Sequence, residues 1–335
     1  MNIKYIESVP PKKASGLLRD INRQISRDFG PIAGPWLALS PVPEVLAGAW
    51  GICREAVVCG ELPRATKEAV AVAVSQVNTC PFCVEAHSLI VGAAGEGGAE
   101  KALRYHSAQD GLLGTLTQWV DSLGPAARGS SKISLTEMQR AEVLGTYLDY
   151  QFINRVVNVF VEEIKMPGPR FLAPLFRRLV KRTLRGLSGV KRTDGPLYPA
   201  SKMSEDFPWA NSIPSLLASI SSLAEVAEIE GRRVLSEKVL QQVGELIETW
   251  DGEPPPLGPS WLKQALAEID VSEQALAKLA LLTGVAAWKV DDKTVAAARS
   301  LCATDSDLIY VVVWAAWKAA TSIANRAAHQ VQIVV

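Results

Sequence analysis

The sequence predicts an all-α fold, and three observations carry that reading. Hydrophobic residues make up 48% of the 335 and alanine is abundant, a composition that suits helices. Leu172, Leu175, Phe176, Leu179 and Val180 recur at helical spacing. Ser134 stands three residues before Glu137, a capping box that opens a long helix.

Taken in order, residues 1–13 read as an extended arm interrupted at Pro10-Pro11, followed by a short basic helix from Ala14 to Phe29. Residues 30–43 form a proline- and glycine-rich loop, and 44–59 an apolar helix. Cys53 and Cys59 lie six residues apart on that helix, so they point to different sides and pack rather than pair. Residues 61–78 form a helix of alanine and valine that ends at Asn78-Thr79. Beyond His87, Gly92, Gly95, Gly97 and Gly98 mark a helix end and turn. They do not form a phosphate loop, because no strand precedes them and no Gly-Lys-Ser/Thr follows. His106 reads as a surface histidine.

After a linker at 124–131, the helix opened at Glu137 runs through Tyr147, Tyr150 and Phe152 to Asn154-Arg155 and Phe160. Its aromatic side is core, or one wall of a pocket. Residues 170–186 are the one strongly charged stretch, with Arg177, Arg178, Lys181, Arg182 and Arg185 around the apolar stripe and a helix start at Pro174. Such a helix can lie on a membrane surface, but packing on its own domain or on a neighbouring subunit is the expected use. Residues 187–213 read as a linker. The C-terminal half reads as helices at 215–230, 234–249, 259–268, 272–283, 291–301 and 305–328. Cys302 and His329 read as structural or exposed.

A length of 335 residues favours two domains. Lys+Arg and Asp+Glu are both 35, so no global field argues for nucleic acid or an acidic partner. Five cysteines do not make a secreted disulfide framework. The N-terminus shows no apolar signal core, and the run Leu308 to Trp317 is too short to span a bilayer. A cytoplasmic location is the expectation.

A faint internal repeat supports two units. Shifting the chain by 171 residues places Pro43, Leu46 and Ala47 on Pro214, Leu217 and Ala218, and Asn154-Arg155 on Asn325-Arg326. Gly60, Lys67 and Val72 fall on Gly231, Lys238 and Val243. The boundaries expected are 1–170 for a catalytic domain, 171–213 for the basic helix and linker, and 214–335 for a degenerate copy. In that copy Glu68, Cys80, Cys83 and His87 correspond to Val239, Asp251, Pro254 and Gly258, so the second half reads as a packing partner.

The residues that carry chemistry lie in Thr79-Cys80-Pro81-Phe82-Cys83-Val84-Glu85-Ala86-His87. On a helix Cys80, Cys83 and His87 share one face. Pro81 suits the first helical position, which makes Cys80 the N-cap, where the helix dipole lowers a thiol pKa. His87 is placed to take the proton of Cys83. Glu68 is the sole acid in the apolar run Ala65 to Val77, and a buried carboxylate needs a partner such as an imidazole. A solvated Glu68 is the plain alternative. The cluster reads as a redox dithiol with a proton relay. Three zinc ligands, with Glu68 or His106 as the fourth, are another reading, but no second ligand pair follows close in sequence. Two buried cysteines and a satisfied core histidine are a third.

The run from Glu68 through Ser75, Asn78, Cys80-Pro-Phe-Cys83 and His87 resembles the alkylhydroperoxidase D-like branch of the carboxymuconolactone decarboxylase family. Its pattern is a glutamate, eleven residues, C-x-x-C, three residues and a histidine, and each position is met. One departure is Phe82, where alkylhydroperoxidase D proper carries a second histidine. The resemblance implies an all-helical fold, here in two tandem copies. It also implies Cys83 as the thiol that attacks peroxide, Cys80 as the resolving thiol, and Glu68 and His87 as the relay. Local electrostatics alone favour Cys80 as the attacker, whereas closeness to His87 favours Cys83.

The activity implied is a thiol-dependent alkylhydroperoxidase or disulfide oxidoreductase. It would take a small hydroperoxide as substrate and an external thiol as reductant. No flavin, nicotinamide or metal motif is visible, so no cofactor is expected. Family relatives assemble from single units, so a homo-oligomer, dimer or trimer, is expected here. The alternative is a redox sensor or binding protein of the same fold without turnover, as in the sestrins.

Overall fold

The computed structural model describes residues 2–32, 34–93, 111–123, 133–162, 190–192, 195–256 and 258–329. Among them the chain is helical, and its sole β pairing is an isolated antiparallel bridge between Ile3 and Val161. The helices are α1 Gly16–Asp28, α2 Pro35–Ala38, α3 Pro43–Ile52, α4 Arg64–Val77, α5 Pro81–Ala93, α6 Gly111–Ser122 and α7 Glu137–Phe160. There follow α8 Pro214–Val234, α9 Glu237–Glu248, α10 Ser260–Ala265, α11 Gln274–Ala286, α12 Asp292–Arg299 and α13 Asp305–Ala328. The basic stretch 170–186, the linker 124–131, Gly95, Gly97, Gly98 and His106 lie outside the described residues.

Several local expectations need correcting. The helix expected over 44–59 stops at Ile52 and continues as a π-helical turn, Cys53–Val58, closed by the Cys59 amide donating to Arg54 O at 2.8 Å. The wider turn leaves Cys53 facing one way and sends Arg54 and Glu55 into a buried ionic cluster. Arg54 Nε lies 2.7 Å from Asp28, and Arg54 Nη1 2.6 Å from Glu55. The capping box is Thr136–Gln139 rather than Ser134–Glu137. Thr136 Oγ1 accepts the Gln139 amide at 3.1 Å, while Gln139 Oε1 accepts the Thr136 amide at 3.2 Å. Ile133 and Leu135 are buried, so the chain stays extended through them before the helix starts. The loop expected over 30–43 contains the short helix α2.

α7 is the axis of the first half. It is buried along nearly its whole length, with α4, the π turn and α2 against it. α13 takes the same place in the second half, against α8, α9 and α11. It is long and apolar enough to cross a membrane by length and composition, but most of it is buried inside this fold. The most extensively packed helix pairs between halves are α7 with α13 and α3 with α8. These are the helices that the 171-residue shift equates. α3 and α8 both begin at a proline, and α7 and α13 carry the two Asn-Arg pairs.

Candidate active site

Four elements place the site. α4 ends at Val77, and the chain reverses at Thr79, whose φ of 51° is left-handed. The Cys80 amide donates back to Ser75 O at 2.8 Å, and Pro81 starts α5. Cys80 therefore stands at the N-cap position, and its carbonyl accepts the first helical bond from Val84 at 3.1 Å. Cys83 and His87 follow on the buried side. Cys80 is 1% exposed, Cys83 2% and Glu68 0%.

Glu68 and His87 meet. Glu68 Oε2 lies 2.6 Å from His87 Nδ1, and Arg64 Nε donates to Glu68 Oε1 at 3.1 Å. Burial alone would raise the Glu68 pKa, but His87 and Arg64 outweigh it and hold the carboxyl below its ordinary 4.5. The carboxylate is thus an anchored acceptor that fixes the ring by its Nδ1 side and leaves Nε2 for other work.

The two thiols are free, buried and near enough for Cys80 to act on Cys83. Burial, then the hydrogen bond and charge of Cys80, then the Asp149 charge push the Cys83 thiol well above its ordinary 9.0. The resting site therefore holds a protonated Cys83 in a closed, apolar setting, so a base must act before attack. Among the described residues no group of three His, Cys, Asp or Glu side chains is placed to hold a metal ion.

Three residues join this site that the motif does not contain. Tyr150, on α7, sets its hydroxyl 3.0 Å from His87 Nε2 and 3.1 Å from Nδ1, with the rings edge to face at 4.7 Å. Burial first, then the Glu68, Cys53, Asp149 and Cys83 charges, push its phenol well up, so it acts as a neutral hydroxyl. Asp149, the preceding residue, is buried, its Oδ1 has no hydrogen-bond partner, and it lies near enough to Cys53 on the π turn for its charge to add to burial in raising that thiol. The charges of Asp149, Glu68 and Arg64 act on the Cys53 thiol, whereas those of Arg54, Glu55, Arg192 and Lys67 in the ionic cluster act on the Cys59 thiol, so the two thiols sit in different surroundings. The signal that singled out Glu68, an acid inside an apolar run, applies equally to Asp149 within Leu148-Asp149-Tyr150-Gln151-Phe152.

The second half contributes to a neighbouring cavity of about 480 Å³ between the halves. Asn78, Tyr147 and Gln151 line it from the first half, and Trp250, Asp251 and Arg326 from the second. Arg326 donates to Glu248 O and Trp250 O at 3.0 Å each, which holds the loop standing where the repeat would put the dithiol.

The model of the carboxymuconolactone decarboxylase family matches residues 43–104, from α3 through the dithiol helix. A protein of Mycobacterium tuberculosis named alkyl hydroperoxide reductase is 31% identical over 325 residues, covering 96% of this chain and 94% of its own. No solved structure gives a significant match. With that relative aligned along nearly its full length and the family pattern spanning the dithiol helix, the chain belongs to the carboxymuconolactone decarboxylase family, in its alkylhydroperoxidase D-like branch.

Proposed function

We propose that this protein reduces organic hydroperoxides with the Cys80–Cys83 dithiol. The observation that carries the reading is the Glu68–His87 contact of 2.6 Å, one helical turn beyond Cys83. A buried carboxylate orients the imidazole, the imidazole takes the Cys83 proton, and the thiolate attacks. The Cys83 sulfur bonds to the terminal peroxide oxygen as the O–O bond breaks, giving a sulfenic acid and an alcohol. The Cys80 thiol then displaces water and closes the disulfide. A dithiol reductant of the cytoplasm returns both sulfurs to thiols. The name of the mycobacterial relative supports the substrate class.

The test is consumption of cumene hydroperoxide by the full chain with excess dithiothreitol. Turnover is expected, and Cys83→Ser should abolish it. With the reductant left out, Cys80→Ser should consume one equivalent of hydroperoxide and stop at one sulfenic acid per chain. A redox sensor is the second reading, favoured by the burial of both thiols. Oxidation of one dithiol per chain without turnover, under the same reductant, would establish that reading instead.

A further inference from the structure

The cavity of about 480 Å³ between the halves is walled by equivalent turns of the two copies. Thr249, Trp250 and Asp251 are the 171-residue shift partners of Asn78, Thr79 and Cys80, and Arg326 is the partner of Arg155. Where the first copy carries Cys80, the second turns Asp251 and the neighbouring indole to this space. The volume falls within the range of small-molecule pockets, about 300–1,000 Å³.

Two cations with spare donors stand there. Arg326 lines the cavity and makes no ion pair among the described residues. Its Nη1 donates to Glu248 O at 3.0 Å and to Ser322 Oγ at 2.8 Å, and its Nη2 to Trp250 O at 3.0 Å. That leaves Nε–H and one N–H on Nη2, and these two nitrogens share an edge that fits both oxygens of a carboxylate. Arg155 stands behind the same wall. Its Nη1 donates to Gln151 Oε1 at 2.9 Å, and its guanidinium lies 6.0 Å from the centroid of the Trp250 ring. It is 4% exposed and also lacks a carboxylate partner among the described residues. The carbonyls of Gly284 and Gln151 solvate it but bring no net charge, and a buried charge left uncompensated is costly. Both arginines are near enough to the Tyr147 phenol, also in the wall, for their charges to oppose the burial that raises it. Asp251 turns Oδ1 to its own loop, where it accepts the Glu253 amide at 2.9 Å, and pairs with neither arginine. The wall is therefore positive on balance, with an apolar side formed by Leu123, Trp250 and Ile323.

We infer that this cavity is a binding site for an organic carboxylate with an apolar body. The open edge of the Arg326 guanidinium takes the carboxylate, and Leu123, Trp250 and Ile323 take the body. A neutral amphiphile would leave the guanidinium unpaired, and a bare inorganic anion would leave the apolar side uncovered. The site goes beyond the hydroperoxide reading and does not depend on it, since binding here needs no turnover of the dithiol.

The probe is octanoate, titrated into the full chain in a calorimeter, with octanol as the neutral match in chain length. Octanoate is expected to bind at one equivalent per chain with a dissociation constant below about 1 mM, and octanol about tenfold or more weaker. Arg326→Gln should weaken octanoate by about tenfold or more and leave octanol as it was. Because Arg326 also ties the loop, a second variant tests the place. Val77 lines the cavity and is 51% exposed, so Val77→Trp fills the space without removing an ionic tie. It should abolish octanoate binding and leave the thermal midpoint unchanged. Equal affinity for the two probes, no saturation by octanoate below about 1 mM, or full binding by Val77→Trp would overturn the assignment. So would an Arg326→Gln protein that binds octanoate as the wild type does. If Arg326→Gln does not fold, the preference of the wild type between the probes and the loss in Val77→Trp decide. Cumene hydroperoxide turnover bears only on the dithiol, so either reading can fail without the other.

Discussion

At the residue scale, the site depends on which groups are charged while buried. Glu68 owes its charge to His87 and Arg64, so losing the carboxylate should free the ring. Glu68→Gln is expected to lower peroxide turnover by about 10²-fold, read from steady-state rates. The same variant reports on stability. A carboxyl held below its ordinary 4.5 stabilises the fold above that pH, and the contribution is lost as pH falls through the depressed value. Acid unfolding followed by circular dichroism should therefore be shallower below pH 4.5 in Glu68→Gln than in the wild type. Cys83 works in the opposite sense, because burial keeps its thiol protonated past 9.0. Its alkylation by iodoacetamide in the folded chain should still be climbing above pH 9.0, where a denatured control levels off. Glu68, His87 and the dithiol are close in sequence, so spacing alone puts them on two adjoining helices. Tyr150, Asp149 and Cys53 are not legible that way, since only the packing of α7 and the π turn brings them to the thiols.

At the element scale, helix positions were legible and the irregular turns were not. Apolar runs and prolines mark α3, α4 and α8, but no local pattern announces that the helix of Cys53 widens into a π turn. The cause is a tertiary one, the burial of Arg54 and Glu55 with Asp28 in a shared ionic cluster. Close approach of helices is another long-range fact. A Cβ on Gly48 in α3 would fall 2.8 Å from Leu223 Cβ and 2.9 Å from the Leu223 backbone nitrogen in α8. Backbone cannot swing aside as a side-chain tip can. Gly48→Ala should cost roughly 1–3 kcal/mol, read from the urea midpoint. Gly244 in α9 is the control, with its nearest neighbour, the Trp314 ring, at 3.8 Å. Gly244→Ala should stabilise by about 0.5–1 kcal/mol through helix propensity alone. If both substitutions shift the midpoint alike, the α3–α8 contact is looser than these distances state.

At the scale of the whole molecule, the 171-residue shift equates helices that turn out to pack on one another, α3 with α8 and α7 with α13. That is the arrangement of two like units joined face to face, and it gives the second half, which has no C-x-x-C, a packing role. Its α8 and α13 cover apolar faces of α3 and α7 that would otherwise meet water. Polar ties cross the same seam. Ser215 donates to Glu55 at 2.8 Å, Arg155 Nε to Gly284 O at 2.9 Å, and Arg192 Nη2 to Glu142 at 2.5 Å from the connecting segment. Arg54, Glu55, Glu142 and Arg155 are all buried, so parting the halves would expose charges arranged for a dry interior. The seam should accordingly hold without a covalent link. Residues 1–192 and 195–335 made as separate chains in one cell are expected to copurify as a 1:1 particle. Residues 1–192 alone should be insoluble or should pair with themselves through the uncovered α3 and α7 faces. Gel filtration with light scattering decides between these outcomes, and a soluble monomer of the first half would show that the second is an appendage rather than a wall of the core.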